Sequence, residues 1–245
     1  IAGTGNATTG LLGGGSFLSS LCEVISKMDY ATGVIVQVAA ILPVARYAMG
    51  AVSNGSFALF GGGALDSSVT TTEVTSRYTY STGTLASAKS LSGARARLTA
   101  FGNSKLGMFT GGYSASPSVI ADTSKYDYMS DTVTQMSGLN FIESLAATSN
   151  DSNGVIGGGF TGAGTISLMR EYDYLTSAFT LLSATLNAAR SGLAATTNVN
   201  LGVISVDLTP LDTTFLVSPN STGNSPNIDQ FVYTGNKQGC VYEVN

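Results

Sequence analysis

Short apolar runs of Val, Leu, Ile and Ala, broken by Gly or Asn, follow one another along the whole chain. Runs this short, bounded by turn residues, predict strands rather than helices. In stretches such as Tyr172-Asp173-Tyr174 the alternation puts two rings on one face of a strand and the carboxylate on the other.

Aligned with itself at a period of about 48 residues, the chain repeats one pattern five times. Asn recurs at Asn6, Asn54, Asn103, Asn150 and Asn198, and Tyr at Tyr30, Tyr80, Tyr128, Tyr174 and Tyr233. Glycine clusters lie between them at Gly13–Gly15, Gly61–Gly63, Gly111–Gly112 and Gly157–Gly159. The fifth repeat has Ser205-Val206-Asp207 instead. Arg46, Arg95 and Arg190 end three of the repeats, with Ile142 at the aligned place in the third.

Each recurring residue has a mechanical reason in a four-stranded antiparallel unit. Asn separates two short apolar runs and is expected at a hairpin reversal with positive φ. The glycines end the second run, where the backbone must bend sharply or pass close to a neighbouring unit. Tyr belongs to the third strand, where rings of adjacent units can meet. The Thr-Gly, Ser-Asp and Thr-Ser pairs that follow it read as the next hairpin turn. One Arg per unit points to a structural role, bonding carbonyls between units. A four-stranded sheet of this length cannot bury both of its faces alone, but five set radially bury one another.

These residues resemble the kelch repeat: Gly-Gly after the second strand, Tyr-Asp in the third, and Ala-Arg or Pro-x-Ala-Arg before the next unit. The resemblance covers the whole chain and departs from the usual pattern in the absence of Trp. The Tyr-Asp-Tyr, Gly-Gly-Gly and Ala-Ala-Arg-Ser-Gly-Leu-Ala-Ala-Thr wording is similar to the Trp-poor kelch-like repeats of tailed phages, cyanophages among them, where such repeats occur in virion or tail-associated proteins. The fold this implies is an all-β, five-bladed propeller forming a single domain over 1–245. Its four-stranded antiparallel blades span about 1–46, 47–95, 96–142, 143–190 and 191–245.

Composition narrows the chemistry. Charged residues are 11% of the chain and the net charge is −4, with no dense Lys/Arg cluster, so no nucleic-acid surface is expected. The longest apolar stretch, Val34–Val44, is too short to span a bilayer and is closed by Pro43 and Arg46. With no His in the chain, His-based zinc sites, catalytic triads and the copper centre of kelch-type oxidases cannot be built. Five-bladed glycosidases place acids on their innermost strands. Here those strands read as 1–5, 47–53, 98–102, 145–149 and 193–197, and none contains Asp or Glu. The channel they imply has a small, neutral lining.

Asp29, Asp127 and Asp173 are read as solvent-facing or turn-capping, and Asp66, Asp122, Asp131, Asp151 and Asp212 as scattered over loops without a calcium-loop cluster. The glycine clusters lack the following Lys and helix of a phosphate loop. Four Asn-x-Ser/Thr sequons, at Asn6, Asn54, Asn150 and Asn220, fit the composition and matter only in a eukaryotic secretory setting. Cys22 and Cys240 are read as two buried thiols, although a closed ring would also allow a disulfide clasp. Tyr174 and Tyr233 stand 59 residues apart where the other intervals run 46 to 50, so an insertion around 209–227 lengthens a loop in the last repeat. Ile1 is not a Met and no basic-then-apolar leader precedes it, so the start of the chain is read as removed or undetermined.

The expectation is therefore a non-enzymatic protein with no catalytic residues, no cofactor and no metal. Its expected place is a virion, with other virion or surface proteins as partners. The alternative is an extracellular or cell-surface lectin-like or receptor-binding module that takes host-surface glycans, one in each groove between blades.

Overall fold

The computed structural model of the chain describes residues 1–17, 20–68, 70–114, 119–137, 142–197, 202–205, 235–236 and 239–240. Two compact units divide it, Ile1–Asp207 and Leu208–Asn245. Among the described residues there is no helix, and so none long and apolar enough to cross a membrane.

The first unit carries four four-stranded antiparallel sheets in chain order. The first comprises β1 (Ala2–Gly5), β2 (Thr9–Gly13), β5 (Val24–Asp29) and β6 (Ile35–Ile41). A small hairpin of β3 (Ser16–Phe17) and β4 (Ser20–Leu21) is inserted between its second and third strands. The second holds β7 (Gly50–Ser53), β8 (Phe57–Gly61), β9 (Thr75–Thr79) and β10 (Thr84–Ala88); the third, β11 (Thr99–Gly102), β12 (Leu106–Thr110), β13 (Thr123–Asp127) and β14 (Thr132–Met136). The fourth is β15 (Ala146–Ser149), β16 (Asn153–Gly157), β17 (Leu168–Asp173) and β18 (Ala178–Thr185). Of the fifth repeat, expected as a four-stranded unit like the others, the first unit's described residues show one two-stranded hairpin, β19 (Ala194–Thr197) with β20 (Gly202–Ser205). In the second unit β21 (Gly235–Asn236) pairs with β22 (Gly239–Cys240). Asn198, Tyr233, Asp212, Asn220 and the insertion around 209–227 lie outside the described residues.

The recurring Asn does sit at the hairpin between first and second strands, but for a different reason from the one expected. Asn6, Asn54, Asn103 and Asn150 are not among the residues with positive φ. Each Oδ1 instead accepts the amides two and three residues on, at 2.8–3.0 Å, as from Ser56 and Phe57 at Asn54. The side chain stands in for a backbone acceptor, which is what Asn offers in a tight turn. Asn6 and Asn103 also donate through Nδ2 to the hairpin of the next sheet, at Gly55 and Asp151 carbonyls.

Each glycine pair and the chain leaving the same sheet form one joint. Gly62 (φ +70°) and Gly63 (φ +115°) lie where a Cβ on Gly62 would stand 2.6 Å from the Arg95 carbonyl oxygen. The Gly63 amide donates to that same carbonyl at 2.8 Å. Gly15 bonds Arg46, Gly112 bonds Ile142 and Gly159 bonds Arg190 in the same way.

The apolar clusters are shared between neighbouring sheets rather than enclosed by single ones. Leu11, Ile25 and Leu42 of the first sheet pack with Met49, Phe60 and Tyr78 of the second. Val52 and Leu59 of the second pack with Phe109, Tyr126 and Tyr128 of the third. Phe101 and Met108 of the third pack with Ile156 and Tyr172 of the fourth. The tyrosines inside the strands are Tyr78, Tyr126 and Tyr172, all buried, while the periodic Tyr80, Tyr128 and Tyr174 open the following turn and meet them edge to face, with centroids 5.2–5.7 Å apart. Tyr30 departs from its counterparts and is 51% exposed.

Arg46 and Arg95 reach into the following sheet, as expected. Arg46 is fully buried and donates to the Val74 and Phe60 carbonyls and the Ser76 hydroxyl. Burial without a carboxylate partner pulls its pKa down to about 10, still well above neutrality. Arg95 donates to the Asp122 carbonyl at 3.0 Å and pairs with the Asp122 carboxylate at 2.9 Å. Arg190 bonds its own loop, at Ala188 and Asn187.

Candidate functional site

The first strands of successive sheets stand side by side: β1 packs on β7, β7 on β11, β11 on β15 and β15 on β19. Together they line a cavity of about 260 Å³, to which all five repeats contribute: Thr4 and Gly5, Ala51–Ser53, Ala100–Gly102, Ala147–Ser149, and Ala195. These are the strands read as innermost from the sequence, and no lining residue is charged.

How these strands are held follows from side-chain size and backbone bonding. The first strands carry small residues at matching positions, Gly5, Ser53, Gly102 and Ser149. The Ser149 hydroxyl donates to the Gly102 carbonyl at 2.7 Å and accepts the Gly102 amide at 3.1 Å, tying β15 to β11 through one side chain. Phe101 is 3% exposed and packs against Tyr172, so its ring belongs to the wall rather than to the open space. Before four of these strands, β7, β11, β15 and β19, one residue takes the left-handed conformation: Ala48 (φ 52°), Arg97 (φ 55°), Ser144 (φ 55°) and Gly192 (φ 69°). Their backbones form a chain of hydrogen bonds from sheet to sheet, Arg97 to Ala48, Ser144 to Arg97 and Gly192 to Ser144, at 2.7–2.9 Å.

A set of tyrosine hydroxyls approaches the hairpin ends of the inner strands. A Cβ on Gly10 would lie 3.0 Å from the Tyr30 hydroxyl, and one on Gly107 would lie 3.0 Å from that of Tyr128. Ser53 faces the Tyr80 hydroxyl and Ser149 that of Tyr174. Burial pushes Tyr80 up to about 12 and raises Tyr126, Tyr128 and Tyr174 as well. For Tyr126 the hydrogen bond to the Asp131 carboxylate adds to the rise. Tyr128 also feels Tyr174 and Tyr80, so phenols of successive repeats stand close enough to interact.

A tyrosine whose folded pKa is raised adds stability that is whole below its ordinary value of 10.0 and is lost as pH rises through the folded value. Titration followed at once by tyrosinate absorbance and by circular dichroism is expected to show these tyrosines ionising together with loss of β structure, above pH 10. Ionisation of all 11 tyrosines near pH 10 with the dichroism unchanged would contradict the packing described.

The acids are engaged elsewhere. Oδ1 of Asp29, Asp127 and Asp173 each accepts the amides two and three residues on, which holds these carboxyls below their ordinary value, the amide three residues on being the largest cause. They cap three of the turns between third and fourth strands, where Gly33, Asp131 and Ser177 take positive φ; the second sheet has Thr79 in place of the Asp and Gly83 at positive φ, and all four positive-φ residues are second members of the pairs read from sequence as turns. Asp122 pairs with Arg95; Asp131 accepts the Tyr126 hydroxyl and the Lys89 amide. Asp66 accepts the Thr70 amide, and the Asp151 carbonyl accepts from Asn103. Among the described residues no group of three His, Cys, Asp or Glu is placed to hold a metal ion. Cys22 is a free, half-buried thiol; the Cys240 side chain lies outside what is described.

Sequence reasoning did not find the left-handed series, the Ser149 bridge, or the buried Glu143 that pairs with Arg97 at 3.1 Å. Only Gly192 in that series carries a residue type that signals positive φ. With hydroxyls, amide groups and small apolar side chains at its surface, the cavity offers hydrogen bonds to neutral groups but no acid, base or nucleophile pair among its lining residues. No family model matches the chain, and no curated protein matches it in sequence.

Proposed function

We propose that the chain is a five-bladed kelch-like propeller without enzymatic activity. It serves as a structural or interaction protein of a phage virion or tail, decorating the particle or an appendage and contacting other virion proteins. The observation that carries the reading is a cavity to which first strands of all five repeats contribute, with no charged residue in its lining. Support for an interaction role comes from side chains spent on joining one sheet to the next: Arg46, Arg95, the glycine pairs and the tyrosines. The low charge and the phage-like wording of the repeats point the same way.

Antibody raised against the chain, applied to purified particles from its source and viewed by electron microscopy, tests this reading. Labelling of the head, neck or tail is the expected result, unchanged by added free sugars. Label confined to cell envelopes, or displaced by a sugar, would remove the virion assignment and favour the glycan-binding alternative.

A further inference from the structure

The outer strand of the first sheet differs from its counterparts in the second and third. β10 reads Thr-Leu-Ala-Ser-Ala and β14 Thr-Val-Thr-Gln-Met; in both, the exposed positions are Thr, Ser, Ala or Gln, and Leu or Val is half-buried. β6 reads Ile-Val-Gln-Val-Ala-Ala-Ile, and large apolar side chains are exposed along it and its flanks: Val34 55%, Ile35 59%, Val36 49%, Ile41 45% and Val44 44%. β6 is the terminal strand of its sheet, hydrogen-bonded on one side to β5. A bulge opposite Ile25 takes up Val38–Ala40 and leaves Ile35–Gln37 in regular register against Ser26–Met28. No charged residue occurs between Asp29 and Arg46.

Natural edge strands are protected by lysine, proline or a bulge within the exposed ladder. The segment Val34–Gln37 has none of these. Among the described residues nothing pairs with the outward side of β6. Its outward backbone groups call for another extended strand, and its side chains call for one that is apolar and uncharged. The segment itself meets both demands. A two-fold antiparallel pairing sets it against its own copy, and with no charge present it brings no like charges together.

We propose that the first sheet's outer strand is a self-association edge, through which two copies of this chain pair β6 to β6. The proposal goes beyond the virion reading and does not depend on it, because it needs neither ring closure nor a particular source. A strand edge with five half-exposed side chains covers less than the roughly 800 Å² per partner of a standard stable interface. The dimer is therefore weak, and its population follows concentration.

Sedimentation velocity on the full chain over a rising concentration series tests this. The expected result is a shift from one copy to two that stops at two, with the outward-facing amides of Ile35–Gln37 gaining protection from hydrogen exchange as the dimer fills. Val36→Glu stands across from Lys27 in its own sheet, so the fold tolerates it while the paired edge does not. It is expected to weaken dimerisation at least tenfold with the circular dichroism melt retained, and Ile35→Glu likewise. Leu181→Glu, on the exposed outer strand of the fourth sheet, serves as the control and leaves the dimer intact. Four outcomes each overturn the proposal: a monomer at every concentration, whether or not the edge amides are already protected by another part of the chain; association that continues past two; a dimer that survives both glutamates; or one lost equally in Leu181→Glu.

Discussion

Arg95→Ala is expected to cost about 3–5 kcal/mol, the range for removing one member of a buried ion pair. The guanidinium is 1% exposed and its loss leaves the Asp122 carboxylate, 17% exposed, without its cation. It also strips donors from the Asp122 and Gly111 carbonyls and the Ser92 hydroxyl. For a chain of this size that is a fall in Tm of roughly 6–20 °C. Arg190→Ala is the comparison, since that side chain bonds only its own loop; a change within about 0.5 kcal/mol is expected. Paired thermal melts decide the matter: if the two variants melt together, the inter-sheet role given to Arg95 is wrong. Arg95→Lys is expected to recover little, because a single ammonium cannot span the ligands that the planar guanidinium reaches.

Gly62→Ala carries the other large effect. Two costs combine there: a φ of +70°, worth about 1–2 kcal/mol for an L residue, and a Cβ placed 2.6 Å from the Arg95 carbonyl oxygen. That oxygen belongs to backbone already bonded by Gly63, so it cannot simply swing away. Gly33→Ala provides the separation of terms, with φ +69° and nothing within 4 Å of the new Cβ. It is expected to lose about 1 kcal/mol, and Gly62→Ala at least about 3 kcal/mol, the excess being steric. Equal losses in denaturant titrations would mean that the joint between the glycine pair and the neighbouring chain is looser than described.

Much of the candidate site was legible in the residues, though not always for the right reason. The repeat places five first strands at matching positions, and the cavity is lined from all five. The recurring Asn was assigned to hairpins because of its tolerance of positive φ, whereas it is there as a side-chain acceptor for two amides. Both properties favour Asn in turns, so residue type alone does not separate them. Tyr80, Tyr128 and Tyr174 were singled out by periodicity, yet it is Tyr78, Tyr126 and Tyr172, two residues earlier, that occupy the strands. Met28 holds that place in the first sheet, which weakens the pattern. Glu143 gave no signal because its partner Arg97 belongs to a different sheet, 46 residues away.

What the sequence determined alone is what repeats. Four sheets of four strands, their hairpins and the glycine joints recur because local turn geometry and strand alternation are set within a few residues, and each repeat writes them again. What the tertiary structure decided is everything that depends on the neighbouring sheet: which tyrosine is buried, why Ala48, Arg97 and Ser144 take a left-handed backbone, and how Ser149 bridges to Gly102. These are contacts between groups some 48 residues apart. Their energy comes from burial and hydrogen bonding across a sheet boundary, which no local run of residues encodes.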